Sequence, residues 1–150
     1  MEEYGDSVRG GVVSCSLIVS SELIASPIIE EPTIGVALAP HFLEVFESQL
    51  GQKGLLIVNS SLISQRSYRQ DLTVLEIPAT ELASELGNSL LSNMIVLGGL
   101  IGCTAICHLE VSFEGIERTL PEYRKPMVST NIQGIKRGFE YYLSRNPAQK

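Results

Sequence analysis

The sequence predicts an α/β fold with a largely parallel sheet and helices on both of its faces. Two observations carry that reading. Three short continuous apolar runs, TIGVALA at 33–39, GLLIVN at 54–59 and LTVLEIP at 72–78, have the look of strands buried on both faces. Segments with helical apolar spacing lie between or after them. The chain has 150 residues, 44% hydrophobic and 19% charged, which suits one folded domain with a proper core. Residues 1–145 read as that domain and 146–150 as a polar tail.

Taken in order, GGVVSCSLIVS at 10–20 alternates in part and is β-branched, which predicts a further strand. Pro27 and Pro32 make the next stretch a loop with a short extended piece. Pro40 opens a helix over PHFLEVFESQL, where Phe42, Val45, Phe46 and Gln49 or Leu50 share a face and Gly51 ends it. SSLISQRSYRQD is a polar loop. Thr80 is placed to cap the helix ELASELG, which stops at Gly87, and Asn88 or Ser89 can cap the next one. SFEGIERTLPEY reads as a short amphipathic helix. VSTNIQGIKRGFEYYLS reads as a final one, with Ile132, Ile135, Phe139 and Tyr142 or Leu143 inward.

From Leu90 to Cys107 eighteen residues carry no charge. A bilayer span needs about 20 mostly apolar residues. Ser92, Asn93, Thr104 and the glycines 98, 99 and 102 count against a span, and the nearest charges, Glu85 and Glu110, are acidic. A buried central helix is the better reading. Gly98 and Gly102 form a small-xxx-small pair that admits another backbone at close range, and cover from another subunit is expected as well.

A net charge of −6 with scattered Lys and Arg argues against a nucleic-acid surface. The first residues, MEEYGDSVRG, are acidic and polar rather than a secretory signal, and Cys15, Cys103 and Cys107 fit a reducing compartment. The expectation is a cytoplasmic protein off the membrane. Cys103, Cys107 and His108 lack zinc spacing and read as core cysteines, and no cluster-binding cysteine run occurs. GxSxG, GxGxxG and GxxxxGK[ST] are absent. No catalytic and no metal-binding residue is therefore assigned, which favours a partner in a larger enzyme over an independent catalyst.

Two strings stand out. In YGDSVRGG, Arg9 precedes Gly10 and Gly11 at a strand entry, where backbone can approach a carboxylate or phosphate beside a planar cation. A tight turn with a solvated arginine accounts for it equally well. VNSSLI places the amide of Asn59 and the hydroxyl of Ser60 at a strand end, where an ordinary polar turn is the other reading. Ligands of such sheets sit beyond the carboxyl ends of the strands, here Ala39–Pro40, Asn59–Ser61 and Pro78–Thr80.

Together YG..VRGG, SELIASPII, G.LIVNSSLI, IPATELASELGN and NMIVLGGL resemble, in order and spacing, the gamma component of 2-oxoacid:ferredoxin oxidoreductases over about residues 4–140, nearest to the 2-oxoglutarate type. The resemblance implies a three-layer α/β/α domain. It implies membership of a complex that converts a 2-oxoacid, coenzyme A and oxidised ferredoxin to acyl-CoA, carbon dioxide and reduced ferredoxin. Thiamine diphosphate and iron–sulfur clusters would reside in that complex rather than on this chain alone. The implied partners are alpha and beta components, with ferredoxin reached through the complex. The implied role is accessory, in assembly and in placing coenzyme A, with Arg9, Gly10, Gly11, Asn59 and Ser60 as the contacts. The family loop reads Tyr-Gly-Pro-Glu-x-Arg-Gly-Gly; here Asp6 and Ser7 replace its Pro and Glu, so the carry-over rests on Arg9 and the glycines. Family members place a strand, a GxGGQG turn and a helix before this loop. The expected fold here lacks that first strand–helix unit and exposes a sheet edge that invites pairing with another chain or self-association. The competing assignment is a free-standing α/β nucleotide- or coenzyme A-binding module without redox activity.

Overall fold

The computed structural model describes residues 14–147 apart from 25 and 27. Three strands, β1 (Ile34–Ala37), β2 (Leu55–Asn59) and β3 (Thr73–Ile77), form one sheet in the order β1-β2-β3. Both pairings within this sheet are parallel, with Ile34 opposite Leu55 and Leu55 opposite Thr73. Among the described residues five α-helices accompany them: α1 (His41–Gln49), α2 (Ala79–Glu85), α3 (Ser92–Thr104), α4 (Leu109–Thr119) and α5 (Val128–Arg145).

The apolar run of β2 reads continuously because both of its faces are covered. Leu56 and Val58 point to one side, where Ala37, Leu43 of α1, Leu50, Ile63 and Leu72 complete a core. Ile57 points to the other side, with Ile77 of β3, Leu82 and Ala83 of α2, and Ile95 and Val96 of α3. Leu56 and Ile57 are fully buried, and each contributes about 1.5–3 kcal/mol by leaving water. The result is the expected three-layer α/β/α arrangement.

The strand expected at 10–20 does not form over residues 14–20. Cys15 is a lone bridge residue there, and residues 10–13 lie outside the described residues. Leu17 is 79% exposed and Val19 65%, so this run has no sheet face to bury against. The amphipathic helix expected from 112 starts earlier, at Leu109, and stops at Thr119. Pro121 forces Leu120 into an extended conformation, and residues 122–127 continue as a 3-10 turn.

The uncharged run divides into a 3-10 turn, Ser89–Leu91, and the 13-residue α3. The Asn88 side chain accepts the Leu90 N–H at 3.1 Å, as expected of a cap. α3 ends at Ala105, which takes a left-handed φ of 50° and donates its N–H to Ile101 at 2.8 Å. Among the described residues no helix is long and apolar enough to cross a membrane.

The close approach predicted at Gly98 and Gly102 is made by α5 of the same chain. A methyl group at Gly98 would overlap the carbonyl oxygen of Ile135, and one at Gly138 the carbonyl oxygen of Ile95. Gly134 faces Leu91 and Met94, while Gly102 faces Tyr142 and Phe139, so the two helices run in the same direction. Gly99 seats α3 on the sheet, because a methyl group there would strike the Ile77 side chain. The buried stripe of α5 is therefore Asn131, Gly134, Ile135, Gly138 and Tyr142, with Ile132, Phe139 and Leu143 only partly covered.

The polar loop between β2 and β3 is pinned by Arg69. Its Nη1 donates to the carbonyls of Glu47 (2.8 Å) and Leu50 (2.6 Å), and Nη2 to that of Gly51 (3.4 Å). One guanidinium thus satisfies the orphan carbonyls at the end of α1, where the helix dipole favours a cation. Asp71 holds the same guanidinium through Nε at 3.0 Å and Nη2 at 2.6 Å. The side-chain hydrogen bond from Arg69 lowers the Asp71 carboxyl from 3.8 to about 2, and the same bond raises the Arg69 pKa. Buried Glu47 accepts the Tyr68 N–H at 3.1 Å, a second tie between loop and helix.

Gly98→Ala and Gly138→Ala should each destabilise the chain by about 3 kcal/mol in urea unfolding, because backbone must separate. Gly115→Ala, in α4 with open space around it, should stabilise by about 0.5–1 kcal/mol. Asp71→Asn should lower the urea midpoint at pH 7. The folded pKa of Asp71 is depressed, so its stabilising effect is complete above pH 3.8 and lost as pH falls through about 2. The gap between variant and wild type should close across that window.

Candidate functional site

In a parallel sheet all carboxyl ends share one edge, and here it carries three turns. Ala37 leads through Leu38, Ala39 and Pro40 into α1, with Pro40 at the N-cap. β2 ends at Asn59, and β3 at Ile77, from which Pro78 leads into α2.

Asn59 is 1% exposed and uses both the oxygen and the nitrogen of its amide on neighbouring chain. Its Oδ1 accepts the N–H of Ala79 at 3.1 Å and of Ser61 at 3.3 Å, and its Nδ2 donates to Thr80 Oγ1 at 3.0 Å. Ser61 Oγ accepts the Glu81 N–H at 3.2 Å. The start of α2 is therefore capped from the end of β2, not by Thr80. Thr80 lies inside the helix and receives the Asn59 amide instead. The register explains this: Asn59 stands opposite Ile77, beside the first turn of α2.

Ser60 extends the ladder by one bond, its N–H donating to Ile77 O at 2.9 Å. Its side chain is half-buried, and the hydroxyl makes no hydrogen bond among the described residues. The N–H groups of Leu62 and Ile63 return to Asn59 O at 3.1 and 3.0 Å, so the turn is tight, and Ile63 anchors it in the core. Exposed His41, Leu38 and Leu62 lie on the same edge. Beside the engaged hydroxyls of Ser61 and Thr80, this edge carries the Ser60 hydroxyl, the His41 imidazole and apolar surface. Of the sequence-predicted site residues, Asn59 and Ser60 meet here with different tasks: Asn59 braces the turn and Ser60 faces outward. Arg9, Gly10 and Gly11 lie outside the described residues.

Two depressions lie elsewhere. One of about 720 Å³, lined by Glu30, Glu31, Thr33, Gln52 and Arg69, sits beyond the amino end of β1. The other, about 440 Å³, lies between the end of α3 and α5 and is lined by Cys103, Cys107, His108, Phe139 and Leu143. Both cysteines are half-buried rather than core residues, because α3 stops at Thr104 and the chain turns outward. Among the described residues no group of three or more His, Cys, Asp or Glu side chains is placed to hold a metal ion. Sequence reasoning missed Ser61 as a cap and Arg69 as a brace. The only signal for either was an unremarkable polar loop.

Asn59→Leu keeps the volume but leaves two N–H donors unpaired, and should cost about 2–4 kcal/mol in urea unfolding. Ser60→Ala should cost less than about 0.5 kcal/mol. Equal losses would place both residues in the same role.

The family described as pyruvate ferredoxin/flavodoxin oxidoreductase matches residues 1–141. The 2-oxoglutarate synthase subunit KorC of Methanothermobacter marburgensis is 26% identical over 148 residues, covering 95% of this chain and 78% of KorC. The ketoisovalerate oxidoreductase subunit VorA of the same organism is 25% identical over 138 residues, covering 92% of this chain but 29% of VorA. In three dimensions the keto/oxoacid ferredoxin oxidoreductase gamma subunit of Geobacter sulfurreducens overlays with a TM-score of 0.69 at 19% identity, over 96% of this chain and 79% of that one. The pyruvate oxidoreductase subunit PORC of Thermotoga maritima gives 0.57 at 22% identity, over 77% and 66% of the two chains. These likenesses share the α/β fold described above, and the family match runs through the whole sheet and nearly all of α5: the chain belongs to the pyruvate ferredoxin/flavodoxin oxidoreductase family.

Proposed function

We propose that this chain is an accessory, non-catalytic component of a thiamine diphosphate-dependent 2-oxoacid:ferredoxin oxidoreductase. The observation that carries this reading is the family match over residues 1–141. The relative KorC is named as a subunit of 2-oxoglutarate synthase, which favours 2-oxoglutarate as the 2-oxoacid. Thiamine diphosphate and the iron–sulfur clusters then reside on partner components, and ferredoxin meets the complex through them. This chain contributes to assembly and to placing coenzyme A.

For coenzyme A, Arg9 brings a planar cation suited to phosphate, and Gly10 and Gly11 carry no side chain to keep a ligand from the backbone. Ser60 supplies a hydroxyl at the carboxyl edge, presented by the turn that Asn59 braces. A charge-assisted contact of this kind contributes about 1.5–3 kcal/mol, which corresponds to roughly a tenfold change in affinity or more.

Tagged chain purified from its native cells should bring down thiamine-binding and iron–sulfur components. The preparation should reduce a viologen dye with 2-oxoglutarate only when coenzyme A is present. In that complex Arg9→Ala should raise the KM for coenzyme A about tenfold with kcat little changed. A chain that comes down alone and binds coenzyme A or a nucleotide by itself would replace this reading with a free-standing binding module. An unchanged KM would remove Arg9 from the contact.

A further inference from the structure

Cys103 and Cys107 stand on either side of the point where α3 ends. Cys103 lies in the last turn of the helix, and Cys107 follows the left-handed Ala105. Both are half-buried, and both line the same cavity of about 440 Å³. Its other walls include Ile101, Leu109, Phe139 and Leu143, which are apolar, and His108 is an exposed lining residue. A disulfide needs Cβ atoms roughly 3.5–4.5 Å apart, and α3, which would otherwise fix the spacing of the two cysteines, ends at Thr104 between them, so closing the pair asks for a local adjustment.

The link between them can supply that adjustment. Ala105 and Ile106 are exposed, Ile106 by 47%, so moving them disturbs no core packing. The link is held by two local bonds, Ala105 N–H to Ile101 O at 2.8 Å and Ile106 N–H to Thr104 Oγ1 at 3.3 Å. Ala105 also carries a Cβ in the left-handed region, a conformation disfavoured for an alanine. His108 lines the same cavity, but among the described residues no group of three or more His, Cys, Asp or Glu side chains is placed to hold a metal ion, so sulfur–sulfur chemistry fits the pair better than metal binding.

We propose that Cys103 and Cys107 are a redox-active dithiol, oxidised to an intramolecular disulfide by exchange with a small disulfide such as oxidised glutathione. The thiolate of one cysteine attacks a glutathione sulfur, and one glutathione leaves as thiolate. The second cysteine then attacks the mixed disulfide, and the other glutathione leaves. The protein loses two electrons and two protons, and the small disulfide gains them as two thiols. The new bond ties the last turn of α3 to the start of α4 and narrows the cavity. This inference is independent of the proposed function.

The test uses the full chain with Cys15→Ser, which removes the exposed third thiol. The protein is incubated with oxidised glutathione, unfolded, alkylated with N-ethylmaleimide and weighed by mass spectrometry. The expected product has no alkylated and no glutathionylated cysteine. Its tryptic peptide from Gln70 to Arg118 is lighter by two hydrogen atoms and regains them with dithiothreitol. Adding Cys107→Ser should leave Cys103 as a stable glutathione adduct. Oxidation should be faster in the native chain than in urea. Two alkylated cysteines, two separate glutathione adducts, or equal rates in native and unfolded chain would each overturn the proposal.

Discussion

α3 and α5 approach so closely that a single methyl group would overlap a carbonyl oxygen, and most of the structure hangs on that contact. Gly98 meets Ile135, and Gly138 meets Ile95. Each glycine costs about 1 kcal/mol against alanine in a helix interior. The gain is a pair of helices locked backbone to backbone, with little freedom to slide. On its other side α3 reaches the sheet through Gly99, which receives the Ile77 side chain. Ile77 ends β3 and sits in the core with Ile57, Leu82 and Ile95. The contact between the two helices is thus two steps from the edge where Asn59 holds α2.

The two faces of the sheet are secured differently. On the α2–α3–α5 face the agents are glycine and aliphatic packing. On the α1 face a charged brace supplements the core: Arg69 collects the last carbonyls of α1 while Asp71 fixes the guanidinium. Neither device touches the carboxyl edge. That edge is instead shaped by Asn59, which ties the end of β2 to the start of α2 and leaves Ser60 facing outward. A scaffold made rigid from both faces, with its polar turn braced from below, suits presenting a ligand or a surface to partner subunits.

Much of this was legible in the sequence. The apolar runs at 33–39, 54–59 and 72–78 became β1, β2 and β3, because a strand covered on both faces has no polar side to confuse the pattern. Gly98 and Gly102 announced a close helix contact. Their partner was hidden in Gly134 and Gly138, since spacing on one helix does not name the helix opposite. The run at 10–20 has strand composition, yet strand formation depends on a paired neighbour, which composition cannot supply. Thr80 looked like a cap because local sequence favours it. The cap came from Asn59 and Ser61, about twenty residues earlier, through the register of two parallel strands. Arg69 was illegible as a brace for the same reason: the carbonyls it collects lie at and just after the end of α1, about twenty residues earlier.

The claim that the site edge depends on the α3–α5 contact is tested most directly by native-state hydrogen exchange, comparing the wild-type chain with Gly138→Ala. Lost protection should spread from α3 and α5 through Ile77 to α2, including the N–H groups of Ala79 and Glu81 that Asn59 and Ser61 hold. Loss confined to α5, with α2 and the Asn59 turn as protected as before, would contradict it.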